Sequence, residues 1–167
     1  MNKSFTNCLR AVFFFLMLLV TSVGMAQQAC PGFRTYTQGG WGSTPQGNNP
    51  GTFLRNNFAT AFPNGLTIGC NNTLKLTTAT AVRNFLPNGT TPFALSSGNL
   101  INPTKTNYSN VLAGQMVALA LNMGFDVAFP NFASSTANLK DLEISSGPFA
   151  GKTVQQLFDA ANAKIGG

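Results

Sequence analysis

The chain has 167 residues, ten Lys or Arg, four Asp or Glu and no His, which gives a formal net charge of +6. Without imidazole, Ser-His-Asp and Cys-His nucleophile systems and His-ligated zinc are excluded. The basic residues are scattered singly, whereas nucleic-acid binding uses a clustered basic stripe. We therefore expect no enzymatic activity, no cofactor, no metal site and no nucleic-acid partner.

The N-terminus has the pattern of a secretory signal. Lys3 and Arg10 precede the apolar run Ala11–Val20, and small residues then precede Gln27. An apolar run of this length is too short for the hydrocarbon core of a bilayer, which needs about 20 residues. The pattern predicts a cleaved signal peptide at residues 1–26, with an uncleaved N-terminal anchor as the alternative.

The remaining chain, residues 27–167, has the size of one secreted globular domain. Loss of Lys3 and Arg10 leaves eight basic and four acidic residues, a net charge of +4, alongside seventeen Asn and sixteen Thr. A neutral polar surface repels itself little, which permits association. The expected partners are copies of the chain, other surface proteins or a neutral polysaccharide, without membrane insertion after signal cleavage.

The expected secreted chain contains two cysteines, Cys30 and Cys70. In an oxidising compartment an even pair indicates one disulfide, and two separate thiols are the alternative. The bond would close a loop of about 40 residues, which is worth roughly 4 kcal/mol at most.

A glycine-rich segment, Arg34–Gly51, contains five glycines, the single Trp and one of the two Tyr. Aromatic faces and neutral amides are suited to neutral sugars, because amides both donate and accept hydrogen bonds. In a second interpretation, Trp41 fills the core and the glycines turn the chain around it. In a third interpretation, the segment is an interface with a partner protein. The candidate ligand-binding residues are Tyr36, Gln38, Trp41, Asn48 and Asn49.

The next stretch predicts helices and strands in alternation. Asn49-Pro50 is a typical helix start, and Pro63-Asn64-Gly65 ends that helix. Short strands are expected at Leu66–Ile68 and Thr73–Leu76. A second helix should run from Thr77 or Thr78 to Leu86, before a loop over residues 90–110 in which Pro103 disfavours a helix.

The last third contains the most apolar stretch of the expected secreted chain, Val111–Met123, which predicts a central buried helix of about 13 residues, too short for a membrane. Phe125–Phe129 has the period of a strand, and Leu139–Ile144 that of a short strand or turn. Thr153 and Gln156 form a capping box for an amphipathic C-terminal helix. The fold class is α+β, with about four helices and a small antiparallel sheet.

Carboxylates suitable for acid–base chemistry are few. Asp141 and Glu143 would share one face of a strand about 6–7 Å apart, close to the spacing of paired glycosidase acids. Polar residues on the exposed face of an edge strand have the same spacing, and that interpretation is favoured. Asp126, beside the buried helix, is expected to have a structural role, either buried and paired with Lys or Arg or holding a turn. As a calcium ligand it lacks acidic neighbours.

Four segments together resemble an uncharacterised secreted bacterial domain of cell-surface proteins, of the kind found in Bacteroidota-like organisms. They are T-Q-G-G-W-G…G-N-N-P-G-T (37–52), F-P-N-G-L-T-I-G-C (62–70), V-L-A-G-Q-M-V-A-L-A-L-N (111–122) and S-G-P-F-A-G-K-T-V-Q-Q-L-F-D-A-A-N (146–162). The resemblance implies an extracellular or surface location and carries over no catalytic residues.

The leading hypothesis is a secreted, non-enzymatic protein that works by association, as a structural or matrix protein or an adhesive module. The alternative is a carbohydrate-binding module that uses Tyr36 and Trp41. An enzyme that uses Asp141 and Glu143 is the third hypothesis. Whether the Trp41 ring is buried or exposed bears directly on the second.

Overall fold

The structure is a computed structural model, and it describes residues 32–167. The expected signal peptide, its cleavage point and Cys30 lie outside the described residues. Within them the α+β class is confirmed, with four helices of seven residues or more and a small sheet. The helices are α1 (Gln38–Trp41), α2 (Pro50–Ala61), α3 (Ala79–Phe85), α4 (Val111–Ala128) and α5 (Val154–Gly166); the strands are β1 (Leu66–Gly69), β2 (Thr73–Leu76) and β3 (Asn99–Ile101).

The sheet has the order β1-β2-β3 and is mixed. β1 pairs antiparallel with β2, whereas β2 pairs parallel with β3, Leu74 lying opposite Leu100. The expectation of a purely antiparallel sheet was therefore wrong, because β3 lies in the stretch predicted to be a loop. Three residues are too few to show a strand period, so only the pairing with β2 reveals this strand.

Side-chain caps fix the helix starts. Asn49, Thr78, Asn110 and Thr153 each accept a hydrogen bond from a backbone N–H of the first turn. At Thr153 the capping box is complete, because the Gln156 side chain accepts from the Thr153 N–H at 3.0 Å. These caps confirm the predicted starts of α2, α3 and α5.

Helix α4 is the centre of the domain, as predicted, but it is longer than predicted. It continues to Ala128, and the Phe129 N–H donates to the Phe125 carbonyl at 3.0 Å as a helix end does. The strand expected over Phe125–Phe129 was wrong, because two apolar residues four apart satisfy both a strand period and a helix period.

By length and composition α4 also meets the criteria for a membrane span, with a mean hydropathy of 1.5 over 18 residues. The expectation that it is too short to span a membrane was based on the shorter range Val111–Met123. Half of the 18-residue window is buried inside the domain. There α4 packs against α1, α2, α5 and β1, which is the position of a core helix.

Residues 139–144 form no regular strand. Leu139–Asp141 is a turn of 3₁₀ helix, and Glu143 makes a single antiparallel bridge with Thr153. The prediction of a short strand or turn is thus confirmed in its turn form. This segment lies against α4 and α5, with Leu139 buried.

Candidate functional site

The glycine-rich segment packs into the core through its aromatic rings. Trp41 is 0 % exposed. Its ring centroid lies 5.0 Å from that of Tyr36 in an edge-to-face arrangement and 5.1 Å from that of Phe125. The interpretation of Trp41 as a core residue is confirmed. The ring has no exposed face to stack on a sugar, so the alternative in which Trp41 stacks on a ligand does not fit this structure.

Asn122 of α4 ties this segment to the central helix. Its side-chain oxygen accepts from the Trp41 indole N–H at 3.1 Å and from the Tyr36 backbone N–H at 2.9 Å. Its amide nitrogen donates to the Tyr36 carbonyl at 3.0 Å. One buried carboxamide thus satisfies three polar groups of the segment, which would otherwise be costly to bury.

Gln38 is the second candidate ligand residue that the structure places inside. It is buried, and its side-chain oxygen accepts from the Asn88 backbone N–H at 2.8 Å. The Asn88 side chain in turn accepts from the Asn110 N–H and donates to the Tyr108 carbonyl at 2.9 Å. This chain of amides joins α1 to the N-terminus of α4, so the Gln38 side-chain oxygen already has a partner within the protein.

The two remaining amides of the candidate set, Asn49 and Asn48, have different roles. Asn49 caps α2: its oxygen accepts from the Thr52 N–H at 2.9 Å, and its nitrogen donates to the Thr44 carbonyl at 2.7 Å. Asn48 is exposed. The five predicted residues therefore do not form one open surface, and the glycine-rich segment is a structural feature of the core.

The two carboxylates proposed as an acid pair lie on different local structures. Asp141 ends the 3₁₀ turn, where Lys140 Nζ lies 2.9 Å from its carboxylate, whereas Glu143 is in the bridge to Thr153. Hydrogen bonds from Lys140 and Asn138 lower the pKa of Asp141. Because Asp141 is not in a strand, the shared strand face expected for the pair is absent, and both residues are exposed.

Asp126 has the structural role that the sequence suggested. Its carboxylate accepts from the Leu139 backbone N–H at 2.6 Å, which fixes the start of the 3₁₀ turn against α4. Among residues 32–167, no cluster of three or more His, Cys, Asp or Glu side chains could hold a metal ion.

Cys70 lies in the turn between β1 and β2 and is exposed. Its Sγ lies 3.5 Å from the Gly167 carbonyl and 3.6 Å from that of Ala163, at the end of α5. The expected partner, Cys30, is outside the described residues, so the disulfide stays a prediction.

Sequence reasoning missed the outer side of β3, here called the β3 edge and formed by Asn99, Leu100 and Ile101. The Gly98 carbonyl accepts from the Thr73 N–H, and the Asn102 N–H donates to the Lys75 carbonyl. Since backbone groups alternate in direction along a strand, those of Asn99 and Ile101 point away from β2. Within residues 32–167 these backbone groups have no hydrogen-bond partner.

The opposite edge of the sheet is partly closed. The Asn162 side chain of α5 accepts from the Gly69 N–H at 2.7 Å and donates to the Gly69 carbonyl at 3.2 Å. A carboxamide carries the same donor and acceptor as a peptide group, so it takes the place of a neighbouring strand at this residue. The two edges of the sheet therefore differ.

Two surface grooves lie away from the β3 edge residues. One, of about 750 Å³, is lined by Gly32–Thr35 and by Asn131, Ala133 and Ser134. The other, of about 430 Å³, lies between α2, α4 and α5 beside β1; its lining includes Phe62, Thr67, Met123, Val127, Lys140 and Phe158. Neither groove brings together Asp126, Asp141 and Glu143.

Comparisons of the chain with protein families, with curated proteins and with solved structures found no match. The resemblance to a secreted bacterial surface domain therefore stays a prediction. Any function proposed for the chain has to rest on its own sequence and geometry.

Proposed function

We propose that the protein is a secreted, non-enzymatic extracellular or cell-surface protein that acts by association, as a structural or adhesive module. The basic and apolar N-terminal stretch supports export, and the abundance of Asn and Thr supports a surface of low charge. The proposal rests on the β3 edge, where the sheet offers a place for another chain.

An edge strand with unpaired backbone groups is a template to which a further strand can add. At the β3 edge, Asn99 and Ile101 supply two N–H donors and two carbonyl acceptors. The Ile101 side chain is 64 % exposed and adds apolar contact area. The segment Asn99–Ile101 contains no Lys or Pro, the residues that prevent pairing with another chain at many natural edge strands.

The faces of β3 leave this edge accessible. Leu100 packs against the core on one face, beside Leu74 of β2. On the other face, the Asn99 oxygen lies 2.7 Å from the Thr73 hydroxyl, and Ile101 lies next to Lys75. The strand is thus fixed in place by the domain while its outer backbone stays exposed, so a partner would meet a preformed site.

The test is binding of purified residues 27–167 to intact cells of the producing strain and to the same protein immobilised on beads. We expect wild-type protein to be retained and Ile101→Lys to reduce retention at least tenfold, because a lysine on an edge strand opposes the addition of another strand. The matched control is Val127→Lys, which alters another exposed apolar residue, 53 % exposed, on α4.

Equal retention of wild type, Ile101→Lys and Val127→Lys would show that the β3 edge is not the binding surface. No retention of the wild type on either support would contradict the association function itself. Circular dichroism of the three proteins checks that the substitutions leave the fold intact.

A further inference from the structure

Building on the proposed association, we infer that the partner at the β3 edge is a second copy of this chain, paired antiparallel through Asn99–Ile101. In this arrangement Leu100 of the two copies lies at the centre, and Asn99 of each copy is opposite Ile101 of the other. The two β3 strands then join two three-stranded sheets into one of six strands.

The hydrogen-bonding pattern of the edge is complementary to itself. In an antiparallel ladder, two directly opposed residues exchange both N–H···O=C bonds, and the next such pair lies two residues further along. The outward groups of Asn99 and Ile101 have this spacing. Pairing Asn99 with Ile101 of the second copy, and the reverse, satisfies all four donors and acceptors without a shift of either strand.

The length of the edge favours a partner that is equally short. Gly98, with φ of +93°, and Asn102, with φ of +51°, take the chain out of the extended conformation at the two ends. The Asn102 side chain also accepts from the Thr77 N–H at 2.8 Å, which holds that turn against the end of β2. A longer incoming strand would have nothing to pair with beyond three residues, whereas a second β3 ends where the first does.

Charge does not oppose this pairing. Asn99, Leu100 and Ile101 are all uncharged, and Lys75 is one strand further in, next to Ile101. In the paired sheet the two Lys75 residues are three strand spacings apart, about 14 Å. That distance exceeds the Debye length of about 8 Å at physiological ionic strength, so their repulsion is screened.

Sedimentation equilibrium of residues 27–167 tests the inference. We expect a reversible monomer–dimer equilibrium, weak because a three-residue contact buries far less than the roughly 1,200 Å² of a stable interface. Ile101→Lys should raise the dissociation constant at least tenfold, and Val127→Lys should leave it unchanged. A monomer at millimolar concentration, or a dimer that is indifferent to Ile101→Lys, would overturn the inference.

The register has its own test in two single-cysteine variants, Asn99→Cys and Ile101→Cys, made in a Cys30→Ser/Cys70→Ser background. Opposed residues have Cβ atoms about 4.5–5.5 Å apart, and diagonal ones about 7–8 Å. An equimolar mixture should therefore form a disulfide-linked dimer under mild oxidation faster than either variant alone. Equal rates in all three samples would rule out this register.

The two proposals can fail separately. Wild-type protein that stays monomeric but binds cells in an Ile101-dependent manner would overturn the second-copy inference and leave the association function standing. Protein that neither dimerises nor binds cells would overturn both.

Discussion

The indole N–H of Trp41 donates to the side-chain oxygen of Asn122 at 3.1 Å, inside the core. Trp41 lies in the glycine-rich segment, and Asn122 lies 81 positions later, in the central helix. The same oxygen accepts from the Tyr36 N–H. One buried amide of the central helix thus binds the glycine-rich segment at two of its residues.

Replacing Asn122 by Ala should destabilise the domain by about 3 kcal/mol, since buried donors that lose their acceptor cost about 1–3 kcal/mol each. Denaturant unfolding followed by Trp41 fluorescence measures this loss. Gln115→Ala, at an exposed position of the same helix, is the control and should stay within about 0.5 kcal/mol of wild type. Equal stability of the two variants would show that the Asn122 contacts contribute nothing.

Gly114 of α4 should not tolerate a side chain. A Cβ there would overlap the Gln38 carboxamide and lie 3.0 Å from the Asn88 Cβ. Overpacking costs about 1–3 kcal/mol, partly offset by the roughly 1 kcal/mol that Ala gains over Gly in a helix. We expect Gly114→Ala to lose up to about 2 kcal/mol in thermal or denaturant unfolding.

The control for this prediction is Gly89→Ala, because a Cβ at Gly89 has nothing within 4 Å. Its stability should match that of the wild type. If Gly114→Ala were as stable as Gly89→Ala, the Gln38 amide would have room to move, and the close packing of α1 on α4 would be disproved.

The Asp141 carboxyl should titrate below its usual range, because Lys140 and Asn138 donate hydrogen bonds to its ionised form. A pKa lowered by folding contributes stability above the unfolded value of about 3.9, and this contribution is lost as the pH falls through the folded pKa. Carboxyl-carbon NMR titration should show the pKa rising towards the unfolded value in Lys140→Met. In Lys105→Met, which alters an exposed lysine, it should stay unchanged; identical shifts in the two variants would contradict this assignment.

The predicted Cys30–Cys70 disulfide has a direct readout in protein secreted from its native host. Its mass should be lower than that of the reduced chain by two hydrogen atoms, and Cys70 should label with maleimide only after reduction. Reduction should lower the free energy of unfolding by up to about 4 kcal/mol, the value for a loop of this length. Full labelling of the exposed Cys70 without reductant would disprove the bond, and the Cys30→Ser/Cys70→Ser variant provides the unlabelled reference.

The sequence predicted those parts of the fold that have a local cause. Asn49 before Pro50, and Thr153 three residues before Gln156, define helix starts through capping chemistry that needs no tertiary contact. The apolar run from Val111 likewise identifies the central helix. Where local patterns fit two structures, as at Phe125 and Phe129, the helix prevailed because it buries Phe125 completely against Trp41 and its neighbours.

The candidate site could not be predicted in full, because sequence patterns do not show which Asn and Gln side chains are buried or which strands pair. In a sequence, an Asn or Gln that covers a surface cannot be told from one that joins elements in a core. Gln38 was therefore a candidate ligand-binding amide although it is buried against Gly114. One signal was available: Asn122 interrupts an apolar helix, which is typical of a polar residue with an internal partner. The β3 edge had no signal, because its existence depends on pairing with β2.

The side-chain amide of Asn162 has a consequence for how large an assembly can become. By bonding to both backbone groups of Gly69, it removes one residue with which a further strand could pair at that side of the sheet, and Thr67 lies in the groove that Phe62 and Phe158 also line. An isologous contact at the β3 edge uses the same edge of both copies, so it joins one partner and then stops instead of growing into a fibre. A continuous extracellular matrix built from this protein would therefore require a second, different contact surface.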